Sequence, residues 1–324
     1  MTLLRSLLLW ALFPALISTF AAAQYTPDVP VIPSRDPAPM HESAPPIRVD
    51  VRLINVFVNV TDTNGAPVPR LTQSDFSLFE DGVPQKISVF ERQSAMPLSI
   101  VLAIDTSGSV RKDLPIEQRA AHNFVHALLR PVDQLSLMDF SSDVREVVPF
   151  TNRPNRIDAG LENLRPGPAT ALYDAVYLAS QSLGSRSGRK VLVIISDGGN
   201  TVNGVEYPKA LEQAVRSEVM VYSIIDVPIE ADAGRDTGGE HAMMTLAQET
   251  GGKFYYANAN ELEHAFQQVS DDLRTQYLLG YYPKRRVVDP GFRRISVHLN
   301  DEPKDGSYNL RHRPGYYSNP SPSN

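Results

Sequence analysis

Leu98-Ser-Ile-Val-Leu-Ala-Ile-Asp-Thr-Ser-Gly-Ser109 is an apolar run, interrupted by Ser99 alone, that stops abruptly in an acid and two serines spaced around a glycine. Six of the seven residues from Leu98 to Ile104 are apolar. Such a run suits a strand covered on both faces, as in a parallel sheet, where ligands collect beyond the carboxyl ends of the strands. Asp105, Ser107 and Ser109 lie at that end in a D-x-S-x-S pattern. Their oxygens are hard ligands, too few and too neutral to cage calcium alone. They suit a magnesium ion that keeps waters and takes further ligands elsewhere. A metal site with an open face is the expectation.

Working outward, Lys190-Val-Leu-Val-Ile-Ile-Ser-Asp197 repeats the design and brings a second carboxylate to the same edge, followed by Gly198-Gly199. Around these two strands helical and strand patterns alternate. Helices are expected over 114–130, with Ile116, Ala120, Phe124, Ala127 and Leu128 on the apolar face, and over 154–164, 171–183, 208–217, 240–250 and 261–275. Strands are expected over 134–140, 144–150, 219–226 and 253–257, with a loop at 230–239. The alternation predicts an α/β fold over 97–276: a doubly wound, mostly parallel, Rossmann-like sheet with helices on both faces.

The flanks read as β. In 47–95, Val49, Val51 and Leu53 alternate, then the phase slips to Ile54, Val56, Val58 and Val60, which predicts a bulge or bend at 53–54. Asn64-Gly65 and Asp81-Gly82 are turn dipeptides, and 86–91 is a strand candidate. In 277–317, strands are expected at 277–282, 293–299 and 308–312. Each flank is too small to bury a core alone, so the two are expected to pair into one small antiparallel β domain. Tyr277, Tyr281, Tyr282, Tyr316 and Tyr317 then serve strand cores and edges rather than a binding surface. Residues 318–324 read as a disordered tail.

The 324 residues include no cysteine and carry a formal net charge of −6. Disulfide-stapled classes are excluded, and the lack of a dense basic tract argues against nucleic acid as partner. Residues 1–23 have the form of a signal peptide: Arg5, an apolar stretch from Leu7 to Phe20, and Ala21-Ala22-Ala23 as cleavage site. Pro14 and the short apolar core favour cleavage over anchoring. No later segment is apolar enough to span a bilayer, so no membrane span is expected after cleavage. Residues 24–46 hold seven prolines and read as a linker. The expected location is the periplasm or the extracellular space.

Three separated segments carry a resemblance: Asp105-Thr-Ser-Gly-Ser109, Gly167-Pro-Ala-Thr170-Ala-Leu-Tyr-Asp174 and Ser196-Asp197-Gly198-Gly199. Together they resemble a von Willebrand factor type A domain with a metal-ion-dependent adhesion site. The resemblance implies a divalent cation, usually Mg²⁺ with Mn²⁺ or Ca²⁺ as alternatives, held by Asp105, Ser107, Ser109, Thr170 and Asp197, some through water. Thr61-Asp-Thr-Asn-Gly65, Ser74 to Gly82, Tyr277 to Tyr281 and Arg313-Pro-Gly-Tyr316 are similar to a bacterial secreted family in which such a domain is bracketed by β segments.

Two carboxylates leave a divalent ion nearly neutralised while hydroxyls donate little charge, so the ion can accept a carboxylate from outside. The expected function is a secreted, non-enzymatic protein-binding module whose partner presents an Asp or Glu. The alternatives are an assembly or maturation factor for exported proteins using the same site, and a metal-dependent hydrolase. Asp174 reads as a first-turn acid or a supporting group, not a ligand. His122 and His126 have the spacing of a zinc pair, but His122-Asn-Phe-Val-His126 lacks the Glu of a peptidase helix, and both read as surface histidines. No G-x-S-x-G elbow supports a serine hydrolase.

Overall fold

The computed structural model describes residues 53–92, 95–108, 113–226, 237–285, 291–300 and 308–318. The expected signal peptide (1–23), the linker (24–46), Val49 and Val51 of the first alternating run, Ser109 and residues 319–324 of the expected tail lie outside the described residues. Four strands come first: β1 (Ile54–Thr61), β2 (Phe76–Glu80), β3 (Val83–Gln85) and β4 (Ile87–Arg92). Then follow β5 (Leu98–Asp105), α1 (Leu114–Leu128), β6 (Gln134–Phe140), β7 (Val144–Thr151), α2 (Pro154–Leu161), α3 (Leu172–Gly184) and β8 (Arg189–Ser196). The α/β part closes with α4 (Tyr207–Arg216), β9 (Val219–Asp226), α5 (Thr237–Glu249), β10 (Phe254–Ala257) and α6 (Leu262–Arg274). The last strands are β11 (Tyr277–Tyr281), β12 (Gly291–Leu299), β13 (Asn309–Arg311) and β14 (Gly315–Ser318).

Because strand side chains alternate between faces, a strand covered twice must be apolar throughout. All eight residues of β5 are buried. Ile100, Leu102 and Ile104 join Val191, Val193 and Ile195 of β8 in a core roofed by α1, α2 and α6. Val101 and Ala103 join Leu192 and Ile194 in the opposite core, under α3, α4 and α5. The sheet runs β10-β9-β8-β5-β6-β7, parallel except for β7, which is antiparallel to β6 at the edge. The parallel order places the ends of β5, β8 and β9 on one edge. Among the described residues no helix is long and apolar enough to cross a membrane.

The phase of α1 differs from the sequence expectation. Leu114, Glu117, Ala120, Ala121, Phe124, Val125 and Leu128 are buried, while Ile116 is 38% exposed and Ala127 is exposed. A carboxylate occupies a position of the buried stripe, which hydropathy alone assigns to the outside. The expected loop at 230–239 also ends early, since Thr237, Gly238 and Gly239 open α5.

The flanking strands form two antiparallel sheets, β13-β1-β11-β4 and β14-β12-β2-β3, around one core. β1 pairs with β11 (Val56 opposite Leu279) and β2 with β12 (Leu78 opposite Val297), so both chain ends build each sheet. Ile54, Val56, Val58 and Val60 face inward together. β2, β3 and β14 were not among the expected strands. The pattern of β2 is masked by buried Glu80, which accepts bonds from the hydroxyls of Tyr281 (2.6 Å) and Tyr316 (2.9 Å). Tyr277, Tyr281 and Tyr316 are core residues, whereas Tyr282 is exposed. Ser318, placed in the tail by sequence, is a buried residue of β14 whose hydroxyl donates to the Gly291 carbonyl at 3.0 Å.

The α/β part and the β part meet at Asp272 on α6. Its carboxylate accepts bonds from Asn59 (3.1 Å) and Tyr222 (2.7 Å) and pairs with Arg311, while Gln276 donates to Asn59 at 3.0 Å. Four elements therefore share one buried acceptor.

Candidate metal centre

Asp105 ends β5 with its side chain fully buried. Its Oδ1 accepts the Ser107 N–H (2.8 Å) and its Oδ2 accepts the Ser196 hydroxyl (2.6 Å). The Ser196 oxygen in turn accepts the Gly198 N–H at 3.1 Å, so the turn after β8 is anchored to the acid of β5. Asp197, half-buried, is held by the Gly199 N–H at 3.1 Å. Gly198 has φ +93°, and a Cβ there would stand 2.7 Å from the Gly239 carbonyl carbon and the Glu240 nitrogen. Only glycine lets this turn lie backbone to backbone against the start of α5.

Thr170, buried just ahead of α3, donates its N–H to the Thr201 hydroxyl (2.8 Å) and accepts the Thr201 N–H (2.9 Å) on its carbonyl. Thr106 ties in the remaining loops: its N–H reaches the Phe140 carbonyl (2.9 Å), its hydroxyl the Arg165 carbonyl (2.8 Å), and its carbonyl accepts Gly167 N–H (3.0 Å). Three loops separated in sequence are thus laced into one edge carrying Asp105, Ser107, Thr170 and Asp197. Asp174 accepts the Val205 N–H through both oxygens, at 3.3 and 3.2 Å, which is a loop-holding role.

The electrostatics of this edge are those of crowded acids. Burial raises the Asp105 carboxyl to about 6 against the bonds from Ser196 and Ser107, and the Asp197 charge pushes the same way. Burial likewise raises Asp226, at the end of β9, to about 6, with Asp113, Asp197 and Asp105 adding to it. Glu117 on α1 is driven to about 9, first by burial and then by Asp226, Asp105, Asp113 and Asp197. Both Glu117 oxygens and Asp226 Oδ1 are buried without a hydrogen-bond partner. An all-oxygen donor set beside orphaned carboxylate oxygens fits a hard divalent cation.

Glu117 and Asp226 were not singled out by sequence. Asp226 carried a usable signal, since it ends an apolar strand as Asp105 and Asp197 do. Glu117 carried only its place in the stripe 117, 120, 121, 124, 125, 128. His122 and His126 lie further along α1, exposed, and both meet Asp158.

Residues 100–200 match the family model described as von Willebrand factor type A domain. That match runs from within β5 to the turn after β8 and includes the loops that carry Asp105, Thr170 and Asp197. No curated protein matches the chain. Among solved structures, an aerotolerance-related membrane protein from Bacteroides fragilis is similar at 21% identity and a TM-score of 0.44, covering 54% of this chain and 98% of that one. The vWF domain of the type V pili tip protein Mfa5 from Porphyromonas gingivalis is similar at 12% identity and 0.43, covering 55% and 95%. Proximal thread matrix protein 1 from the mussel byssus, with a zinc-occupied MIDAS motif, is similar at 15% identity and 0.46, covering 56% and 49%. At these levels no ligand or partner of those proteins transfers to this chain.

Proposed function

We propose that the chain is an exported, non-enzymatic protein-interaction module. Asp105, Ser107, Ser109, Thr170 and Asp197 would hold a divalent cation, with Mg²⁺ favoured by an all-oxygen set of two carboxylates and three hydroxyls. When bound, the cation supplies a Lewis-acidic position for a carboxylate oxygen of an Asp or Glu on a partner protein. The observation that carries the reading is the lacing of three loops into one edge where the leading charges around buried Asp105 are other carboxylates.

The supporting groups have separable tasks. Ser196 orients Asp105, Gly199 N–H orients Asp197, and Thr201 fixes the backbone that presents Thr170. The Ser196 hydroxyl donates straight to a carboxylate, which argues for a positioning role and against a serine nucleophile activated by histidine. Export rests on the form of residues 1–23.

The test is a pull-down from the native exoproteome with Mg²⁺ and with chelator, using wild type and Asp105→Ala. Retention of a partner by wild type in Mg²⁺ alone is expected, with loss in chelator and in the variant. Metal-stimulated hydrolysis of ester or peptide substrates that disappears in Asp105→Ala would overturn the reading in favour of a hydrolase.

A further inference from the structure

Gln118, His122 and His126 are four residues apart and form one stripe of α1. That stripe faces α2. Gln118 Nε2 donates to the Leu161 carbonyl at 2.6 Å, His122 Nδ1 lies 2.8 Å from Asp158 Oδ1, and His126 Nε2 lies 2.9 Å from Asp158 Oδ2. Two imidazole nitrogens thus converge on one carboxylate, and one donor atom from each of the three residues lies within 4.8 Å of the others. The imidazole side chains are 48% and 42% exposed and that of Asp158 26%, so the cluster opens to solvent. Burial works to raise the Asp158 carboxyl, but the two imidazoles outweigh it and hold the group below the usual carboxylate range.

We propose that His122, His126 and Asp158 form a second metal site, selective for a borderline transition metal of the Zn²⁺ type and separate from the oxygen-lined edge at Asp105. Imidazole nitrogen suits Zn²⁺, Co²⁺, Ni²⁺ or Cu²⁺, whereas Mg²⁺ prefers the all-oxygen set, so ligand hardness sorts the two centres. Zinc bonds of about 2.0–2.2 Å to nitrogen and oxygen set tetrahedral donors roughly 3.3–3.5 Å apart. The pairs at 2.8 and 2.9 Å need to open by about half an ångström, within the freedom of half-exposed side chains.

Binding also fixes the tautomers. Each ring must present a lone pair where it now faces the carboxylate, leaving the proton on His122 Nε2 and His126 Nδ1. Three protein donors leave the fourth tetrahedral position open to solvent. Asn123 stands where a peptidase helix carries its general base, and its amide donates to Glu263 on α6 at 2.9 Å. The site therefore binds metal without a base for hydrolysis.

The experiment titrates tag-free, chelator-stripped full chain with Zn²⁺ by calorimetry and with Co²⁺ by visible absorption, in millimolar Mg²⁺. Wild type and Asp105→Ala are compared with His122→Asn, His126→Asn and Asp158→Asn, and circular dichroism checks folding. One zinc equivalent is expected in both wild type and Asp105→Ala, with tetrahedral cobalt bands. Each of the other three substitutions is expected to weaken zinc by at least about tenfold, as loss of a metal's supporting contacts alone can do. No zinc equivalent, one indifferent to both histidine substitutions, or one lost with Asp105→Ala would each overturn the proposal. Failure of the partner-binding reading leaves these outcomes unchanged.

Discussion

Glu117→Gln is expected to stabilise the metal-free protein, and increasingly so as pH rises. Burial first, and the charges of Asp226, Asp105, Asp113 and Asp197 second, raise Glu117 from 4.5 to about 9. The folded state therefore holds a proton that the unfolded chain releases. For a raised pKa the stabilising contribution is complete below 4.5 and is lost progressively as pH climbs to about 9. At pH 7, about 2.5 pH units above the unfolded value, the loss is about 3 kcal/mol at 1.36 kcal/mol per unit. Glutamine keeps the shape of the protonated acid and removes the titration. Urea unfolding in chelator from pH 5 to pH 8 measures it: the two proteins should agree within about 1 kcal/mol at pH 5 and differ by about 3 kcal/mol at pH 7. A gap that does not change with pH, or a variant less stable than wild type at pH 7, would refute the argument from burial. Saturating Mg²⁺ should narrow the gap, because a cation among the neighbouring acids favours the ionised form.

Affinity for Mg²⁺ at the Asp105 edge should fall as pH drops through about 6, where Asp105 and Asp226 take up protons; calorimetry showing equal affinity at pH 5 and pH 7 would contradict this. Asp272→Ala leaves Arg311, Tyr222 and Asn59 without their shared acceptor and should cost about 3 kcal/mol, read as a lowered Tm; a change under about 1 kcal/mol would show the junction to be adaptable. Trp10 is the single tryptophan, so cleavage after Ala23 predicts an exported protein without tryptophan emission, and detecting that emission in purified native protein would argue for a retained leader.

Much of the α/β part was legible because its signals are local. Ile100 to Ile104 and Val191 to Ile195 are apolar at successive positions, the pattern of strands in a sheet covered on both faces. Helix phase was harder to read. In α1 several alanines weigh little in either direction, and buried Glu117 counts against its own stripe, so Ile116 and Ala127 were placed on the wrong side. β2 was hidden for a related reason: Glu80 faces the core because Tyr281 and Tyr316 reach it from strands more than 200 residues away.

By itself, the sequence determined the alternation of strands and helices in the α/β part and which oxygen-bearing side chains follow β5 and β8, since both depend on neighbours within a few residues. Tertiary structure alone decided which distant groups converge. It set Glu117 and Asp226 among the acids near Asp105, and it brought Asp158 to His122 and His126 from 36 and 32 residues away. The physical reason is that periodicity states which face of an element is apolar, while the angle and register at which α1 meets α2 come from the packing of both on the sheet.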